Sequence, residues 1–384
     1  MKDLGIYFTS IDPPILQFKP NQLGSKIIQN SKSYEPPVKG SVALIFVPEY
    51  RNSALLTSGQ NLQNIRTELY QLYSGDWQAS VYDLGTILPG KTVEDTWTAV
   101  RDVLETLIKH DVFPLVVGGS QDLMLPIYQT YHKLEQAVNI LDVDCALDMG
   151  SPEEEISDTA WLNKILLDKP SCLFNYSLFG YQSYLTDIKE LNLLNEMLFD
   201  HYRLGEFVSD EKIVEPIVRN SDILSFDLNA IRSSDYTANS LELPHGLYGE
   251  EACRIMRYAG LSDKLTSAGI FNYRESIGQN RSSKLVSQLI WYFIEGYNLR
   301  KGDYPAGNKK NYTRYTVAID DFKDEIIFYK SDKSSRWWME VPYPKVHGSK
   351  YVRHFMVPCN YADYENALKN EMPDLWWKTF EKLC

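Results

Sequence analysis

The feature that most constrains the fold is an alternation of short β-branched segments with longer amphipathic ones. Residues 41–48 (SVALIFVP), 112–119 (VFPLVVGG) and 139–144 (NILDVD) are nearly continuous apolar runs of strand length. Residues 92–111 and 282–300 instead carry apolar side chains at helical spacing. Strands without polar alternation are buried on both faces, as in parallel sheets covered by helices. The sequence therefore predicts a three-layer α/β/α domain with a mostly parallel sheet.

The pattern changes near both ends of the chain. Residues 1–40 are polar and interrupted by prolines, which predicts an N-terminal arm, and residues 41–302 carry the alternating pattern. Residues 303–384 open with a Gly- and Pro-bearing linker and are rich in Tyr and Trp, which predicts a β-hairpin or small sheet followed by a helical tail. Because large exposed aromatic patches are rare on soluble proteins, we expect this C-terminal appendage to pack on the main domain.

Charge and cysteine usage exclude several classes of partner. The formal net charge of −12 argues against nucleic acid or an anionic membrane. No apolar run reaches the roughly 18 residues that span a bilayer. The N-terminus lacks the features of a signal peptide, and the cysteines are scattered without a CxxC pair. We therefore expect a cytoplasmic location.

Polar residues follow the predicted strands, at the edge of the sheet where parallel α/β proteins bind ligands. These residues are Asp144, Asp148, Asp227, Asn229 and Asn272, and the pair Gly118 and Gly119 stands at another strand end. Aspartates at the end of a buried strand need a positive partner, and a metal ion is the usual one. Transition-metal sites of this kind usually include a histidine, whereas Ala146 stands between the first two aspartates.

Four segments, in order, resemble the ureohydrolase superfamily of arginase, agmatinase and formimidoylglutamase, and formimidoylglutamase above all. Residues 114–123 (PLVVGGSQDL) are similar to its GGDHS strand end, and residues 142–148 (DVDCALD) to its DAHxD motif. Residues 225–235 (SFDLNAIRSSD) resemble SFDxDxxDP, and residues 243–260 resemble the PGGL turn and its helix. Because the resemblance runs through residues 40–300, it implies an arginase-like fold.

The resemblance implies a chemistry in which two manganese ions, bridged by a hydroxide, attack an amidine or guanidine carbon. In the family, two histidines and four aspartates hold the ions. This chain keeps three of these ligands, as Asp144, Asp148 and Asp227. The ligand positions that differ hold Gln121 and Ala146 in place of the histidines and Asn229 in place of an aspartate. A further acidic position of the family corresponds to Asn272, or to Glu275 in a shifted register.

Several interpretations of this site remain open. The three aspartates could be remnants that cap loops, ligands of one Mg, Ca or Mn ion together with Gln121 and Asn229, or part of an active two-metal centre. Our main expectation is that no cofactor is bound. The only histidine near the expected pocket is His245. Two arginines, Arg232 and Arg274, are candidates for a built-in cation that replaces the metal.

The resulting hypothesis is a ureohydrolase-like protein that has lost hydrolysis and acts as a binding or scaffold protein. The alternative is an active C–N hydrolase of linear amidines with an altered metal set, since fold alone does not decide function. The resemblance also implies a homo-oligomer, either trimer or hexamer. Residues 303–384 are a candidate surface for a protein partner.

Overall fold

The computed structural model describes residues 3–11, 17–30, 34–54, 62–209, 213–275, 280–305, 309–320, 325–342 and 356–383. Within these ranges the main domain contains a nine-stranded sheet in which all neighbouring strands are parallel. In chain order, the strands are β1 (Ile28–Gln29), β2 (Val42–Phe46), β3 (Val81–Thr86), β4 (Phe113–Val117), β5 (Val138–Val143), β6 (Leu173–Tyr181), β7 (Asp200–Arg203), β8 (Ile223–Asp227) and β9 (Ser267–Phe271). Their order across the sheet is β1-β3-β2-β4-β9-β8-β5-β6-β7.

Helices cover both faces of this sheet. One face packs against α1 (Gln63–Gln71), α6 (Leu204–Ser209), α7 (Val214–Asn220), α8 (Gly249–Leu261) and α9 (Arg281–Asn298). The other face packs against α2 (Val93–Lys109), α3 (Met124–Lys133), α4 (Leu162–Leu166) and α5 (Ile188–Glu196). The predicted three-layer α/β/α architecture with a parallel sheet is therefore confirmed.

Strand β2 illustrates why the apolar runs predicted a doubly covered sheet. Alternate side chains of a strand point to opposite faces. Val42, Leu44 and Phe46 enter the core on one face, while Ala43 and Ile45 enter the core on the other. A run with no polar alternation is therefore required where helices pack on both sides.

The two edges of the sheet differ from the sequence-based prediction. The segment predicted as an N-terminal arm contributes β1, which pairs with β3, and buries Leu4 and Leu23. At the other edge β7 pairs with β6. Both edge strands are short, and β7 is mostly polar. They lack the apolar pattern because an edge strand is held mainly by backbone hydrogen bonds to its one neighbour.

The C-terminal residues form a second, antiparallel sheet of four strands with two helices. The strands are β10 (Tyr312–Val317), β11 (Ile326–Ser331), β12 (Trp337–Glu340) and β13 (Met356–Cys359), and the helices are α10 (Tyr361–Leu368) and α11 (Asp374–Leu383). Trp337, Trp376 and Phe328 lie in a core of their own. The predicted small sheet and helical tail are confirmed.

Contacts between this C-terminal part and the main domain are largely polar. Arg219 of α7 donates from Nη1 to the Trp337 carbonyl at 2.9 Å and from Nη2 to the Cys359 carbonyl at 3.1 Å. Lys378 Nζ lies 2.9 Å from Asp200 Oδ1 at the edge of the parallel sheet. In the part of the chain that the structure describes, no helix is both long and apolar enough to cross a bilayer.

Candidate metal centre

Four neighbouring strands of the parallel sheet, β4, β9, β8 and β5, bring the candidate residues to one edge. Gln121 opens a short 3-10 helix just after β4, and Asn272 directly follows β9. Asp227 is the last residue of β8, and Asp144 directly follows β5. The carboxyl ends of parallel strands meet at one edge, so strand order alone places these side chains together.

Asp144, Asp148 and Asp227 form a cluster in which one carboxylate oxygen of each lies within 4.8 Å of the others. The three residues are only 1%, 8% and 3% exposed, respectively. We refer to these three residues as the aspartate cluster. Two of the three stand at strand ends, and Asp148 lies on the loop that follows β5.

The electrostatics of the aspartate cluster are those of buried like charges. Burial first, and then the charge of Asp142, raise the pKa of Asp144 to about 7. Burial and the neighbouring carboxylates raise the pKa of Asp148 and that of Asp227 well above the ordinary aspartate value. Their mutual repulsion makes this edge of the sheet a strong attractor of positive charge.

Two amide side chains contact the carboxylates. Gln121 Nε2 donates to Asp142 Oδ1 at 2.9 Å and to Ser225 Oγ at 3.0 Å. Asn272 Nδ2 donates to Asp227 Oδ2 at 2.9 Å. Asn272 has a φ of 58°, a left-handed conformation that asparagine tolerates better than most residues. Asn272 therefore lies beside Asp227 at the end of β9.

Asn229 links the loop after β8 to the cluster, and its side-chain Nδ2 donates to Asp227 Oδ2 at 3.4 Å. Its Oδ1 accepts hydrogen bonds from the Ser240 backbone N–H at 3.0 Å and from Ser240 Oγ at 2.8 Å. Its own backbone N–H donates to Asp227 Oδ1 at 2.7 Å. Because both donors from Ser240 converge on the amide oxygen, the Asn229 side chain stabilises the turn after β8.

The remaining predicted residues lie outside the cluster. Arg232 donates from Nε to Ser234 Oγ at 2.8 Å, and its guanidinium lies 4.2 Å from the centre of the Tyr248 ring. Arg274 and His245 are exposed. Over the described ranges, neither guanidinium comes within the roughly 4 Å of a salt bridge to the aspartate cluster. The hypothesis that an arginine replaces the metal ion is therefore wrong. Arg232 contacts Ser234 and Tyr248 instead of the aspartates, and Arg274 is exposed.

Sequence reasoning missed other buried acids around the site. Asp142 is fully buried and accepts a hydrogen bond from Tyr176 OH at 2.7 Å, and burial raises its pKa to about 7. It lies two residues before Asp144 on β5, so strand alternation puts it on the same face and could have revealed it. Burial also raises the pKa of Asp122, which accepts from Asn52 Nδ2 at 2.9 Å, to about 7.

The family model described as "Arginase family" matches residues 53–295. The chain belongs to the arginase family. A formimidoylglutamase of Geobacillus sp. (strain WCH70) is 22% identical over 215 residues, and the alignment covers 53% of this chain and 65% of the relative. The match therefore spans less than two thirds of the length of that relative. The expected resemblance to ureohydrolases, and to formimidoylglutamase among them, is confirmed.

Solved structures show the same fold at low identity. The Trypanosoma cruzi formiminoglutamase with Mn²⁺ has a TM-score of 0.65 at 18% identity, covering 73% of this chain and 99% of that one. The Bacillus subtilis formimidoylglutamase has a TM-score of 0.65 at 15% identity, covering 76% of this chain and 97% of that one. The Bacillus cereus arginase has a TM-score of 0.54 at 17% identity, covering 66% of this chain and 98% of that one.

The donor set of this chain does not fit a pair of manganese ions held partly by histidines. The described side chains at the aspartate cluster offer carboxylate and amide oxygens, and no imidazole is among them. The Gln121 amide nitrogen donates hydrogen bonds to Asp142 and Ser225. The Ala146 side chain is a methyl group with no atom that could bind a metal. Carboxylate and carbonyl oxygens suit hard cations, whereas imidazole suits the borderline transition metals.

Proposed function

We propose that this arginase-family chain has no hydrolytic activity and acts as a binding or scaffold protein. Hydrolysis by a bridging hydroxide requires two adjacent cations, each held in an open coordination geometry. The observation that carries the proposal is the position of Gln121, where the resemblance expects a ligand histidine. Its amide nitrogen donates to Asp142 and Ser225 and is therefore a hydrogen-bond donor, which cannot also coordinate a metal.

The residues at two other ligand positions, Asn229 and Ala146, support the same proposal. Asn229 replaces a ligand aspartate, and its amide oxygen already accepts two hydrogen bonds from Ser240. Ala146 contributes only a methyl group at the second histidine position. Three of the six ligand positions that the resemblance implies thus lack the histidine or aspartate that would hold a second ion.

The alternative is an active C–N hydrolase of linear amidines of the formimidoylglutamase type. It is favoured by the retention of Asp144, Asp148 and Asp227 as a compact cluster and by the resemblance to formimidoylglutamases. The surviving carboxylates would then hold an altered metal set. This alternative and the main proposal differ in a single measurable quantity, turnover.

The test uses the full chain purified in the presence of manganese, with its metal content measured. It is then assayed on formiminoglutamate, arginine and agmatine, with Asp144→Asn as the control variant. We expect no turnover above the uncatalysed rate for either protein. Turnover that Asp144→Asn abolishes would overturn the proposal and establish the alternative.

A restored variant sharpens the same test. Gln121→His, Ala146→His and Asn229→Asp together would return the ligand types that the resemblance implies. If loss of these ligands causes the silence, we expect the triple variant to bind more manganese per chain than the native protein.

The remaining sequence-based predictions belong to this proposal. A family member without activity can still have a role as part of an oligomer. We therefore expect a trimer or hexamer, and light scattering of the purified chain measures it. A protein partner of residues 303–384 and a cytoplasmic location remain predictions. Expression of a tagged chain in the source cell would show where it is located and which proteins bind it.

A further inference from the structure

We propose that the outer edge of β10 pairs with β10 of a second copy of this chain, in antiparallel orientation about a two-fold axis. The pairing would join two four-stranded C-terminal sheets into one continuous sheet. The inference goes beyond the proposed function and holds whether or not the chain hydrolyses amidines. It concerns a part of the chain that lies outside the residues 53–295 matched by the arginase family model.

Within the described ranges the two sheets have four edge strands, and three of these are short or covered. Strand β1 has two residues. Strand β7 has four residues, and Lys378 of α11 lies 2.9 Å from its Asp200 carboxylate. Strand β13 also has four residues, all buried, and Arg219 donates to its Cys359 carbonyl. An edge strand presents unpaired backbone donors and acceptors, and short or covered strands are the usual protection against pairing with another chain.

Strand β10 is the edge strand that has neither protection. It contains six residues and no proline, and among the described strands it pairs with β11 alone. Its residues Thr313, Arg314 and Thr316 are exposed. Alternate residues of β10 direct their N–H and C=O groups away from β11, and no described backbone group other than those of β11 pairs with them. This edge therefore presents a row of hydrogen-bonding groups that can accept a further strand.

Symmetry restricts how two copies of β10 can pair. A two-fold axis perpendicular to the sheet keeps each side chain on its own face, and residues that face each other across two strands lie on the same face. Residues that face each other must therefore be separated by an even number of positions in the sequence. Two such registers overlap most of the strand, one centred on Arg314 and one centred on Tyr315.

Charge and side-chain chemistry select the register centred on Tyr315. In the other register Arg314 faces Arg314 of the second copy, and like charges directly opposite each other are destabilising. In the Tyr315 register the two Tyr315 side chains face each other. Thr313 then faces Val317, and Arg314 faces Thr316. Aromatic and β-branched pairs stabilise neighbouring strands, so the one charged side chain of β10 does not block this pairing.

Aromatic side chains next to this edge add apolar contact area. The centre of the Tyr315 ring lies 5.0 Å from that of Trp337 and 5.3 Å from that of Tyr364. Tyr315 and Tyr364 are partly exposed, and the neighbouring Tyr361 is 52% exposed. In the paired form the two Tyr315 rings would remove apolar surface of each other from water. Six residues per copy still form a small interface compared with the roughly 1,200–2,000 Å² of stable complexes, so we expect reversible association at micromolar concentration.

The test is sedimentation equilibrium of the full chain over a wide range of micromolar concentrations. We expect the average mass to rise reversibly towards twice its value at low concentration, because a two-fold contact between identical edges joins copies in pairs. An average mass that stays constant over this range, both for the native chain and for Thr316→Glu, would overturn the proposal.

Two substitutions of Thr316 should change the dissociation constant in opposite directions. Thr316 is exposed, and in the Tyr315 register it faces Arg314 of the second copy. Thr316→Glu places a carboxylate opposite that guanidinium, whereas Thr316→Lys places a second positive charge there. Because the two-fold axis creates each pair twice, we expect Thr316→Glu to tighten the association by about 3–10-fold and Thr316→Lys to weaken it by a similar factor.

An exchanged charge pair tests the register itself. In the double variant Arg314→Glu with Thr316→Lys, opposite charges again face each other, and we expect an affinity at least equal to that of the native chain. The control is Glu381→Gln, at an exposed position of α11, which changes the net charge by the same amount as Thr316→Lys. Thermal melting of each variant checks that its fold is unchanged.

The outcomes separate this edge from other modes of assembly. Opposite effects of the two Thr316 substitutions, with recovery in the double variant, support the pairing of β10. Equal effects of the two substitutions, or no recovery in the double variant, would contradict it. If Glu381→Gln weakens association as much as Thr316→Lys does, net charge explains the result and the proposal is overturned. A trimer or hexamer whose mass none of these variants changes would also overturn it, because β10 would then lie outside the interface.

Discussion

Two sets of carboxylates are buried in the same sheet. One set has an arginine or lysine partner, and the other has no such partner among the described residues. Asp83 of β3 is fully buried, and its carboxylate accepts from Arg66 Nε at 2.8 Å, Arg66 Nη2 at 3.2 Å and Tyr70 OH at 2.7 Å. Asp222, before β8, lies 3.1 Å from Lys264 Nζ. At the aspartate cluster, no described side chain supplies such a cation.

The difference lies in the partner that the fold supplies to each buried carboxylate. Both regions are buried, so burial itself does not distinguish them. Asp83 and Asp222 each have a buried arginine or lysine partner. The aspartate cluster, which has no such partner among the described residues, lies at the carboxyl ends of the strands, the edge where α/β proteins bind ligands.

The largest expected effect comes from removing the built-in cation at Asp83. Arg66→Met leaves a fully buried carboxylate without its counterion, and we expect the free energy of unfolding to fall by about 3–5 kcal/mol. Urea denaturation at neutral pH measures it. The double variant Arg66→Met with Asp83→Asn should recover part of the loss, because it removes the unpaired charge. A loss below about 1 kcal/mol in the single variant would mean that the Asp83 carboxylate does not need its arginine partner. The contrast between Asp83 and the aspartate cluster would then be contradicted.

A second built-in cation joins the C-terminal sheet to the main domain. Arg219 is 4% exposed, donates to the carbonyls of Trp337 and Cys359, and lies with its guanidinium 4.5 Å from the centre of the Trp338 ring. We expect Arg219→Met to lower the free energy of unfolding by about 2–3 kcal/mol, since hydrogen bonds from a charged donor are lost. Protease cleavage within residues 303–384 should accelerate.

The control for Arg219 is a surface cation of similar length. Lys133 pairs with Asp102 at 3.2 Å and Glu105 at 2.9 Å with its side chain 44% exposed. Lys133→Met should change the free energy of unfolding by about 0.5 kcal/mol or less. If the two variants behave alike, the interface between the two parts of the chain does not depend on Arg219.

The aspartate cluster should respond in the opposite direction from Asp83. In chelator-treated protein, Asp148→Asn removes one of three repelling carboxylates, and we expect the free energy of unfolding to rise by about 1 kcal/mol. Asp83→Asn, measured in parallel, should lower it because the Arg66 guanidinium loses its partner. With a saturating hard cation, the sign for Asp148→Asn should reverse. If Asp148→Asn changes the free energy of unfolding in the same direction with and without the cation, the aspartate cluster does not bind that cation.

Sequence alone predicted the central part of the fold because its strands are buried on both faces. β2 and β4 are apolar at every position and β5 at most of them, and strand order then brought Asp144 and Asp227 together. The edge strands β1 and β7 were missed, since backbone pairing to a single neighbour leaves little trace in the side-chain pattern.

The partners of the site side chains were harder to predict than their positions. Arg232 stands near Asp227 in sequence, yet Ser234 and Tyr248 hold its guanidinium elsewhere. A long side chain samples many rotamers, and local contacts that no spacing rule encodes decide among them. Asp142 is the opposite case, because its spacing of two from Asp144 already placed it on the same face of β5.

The smallest expected effect concerns a half-buried cation whose nearest partner is neutral. Lys382 of α11 donates from Nζ to Asn175 Oδ1 and lies 5.1 Å from the centre of the Phe199 ring. Burial lowers its pKa to about 8, with Lys378 adding to the effect and Asp200 opposing it. The folded protein thus holds a lysine that would release its proton more readily than the unfolded chain does.

The sign of the pH dependence follows from this difference. Between pH 8 and the ordinary lysine pKa of 10.5, the unfolded chain binds more protons than the folded one, so this group makes stability rise with pH. Below pH 8 its burial is fully destabilising. We expect Lys382→Met to be more stable than the native protein by about 1 kcal/mol at pH 7, with the advantage shrinking from pH 8 to 9.5. Urea denaturation of both proteins across this range measures it, and taking their difference cancels the titration of other groups. A constant difference across the range would mean that Lys382 keeps an ordinary pKa, and that the Asp200 carboxylate offsets its burial as fully as Arg66 neutralises Asp83.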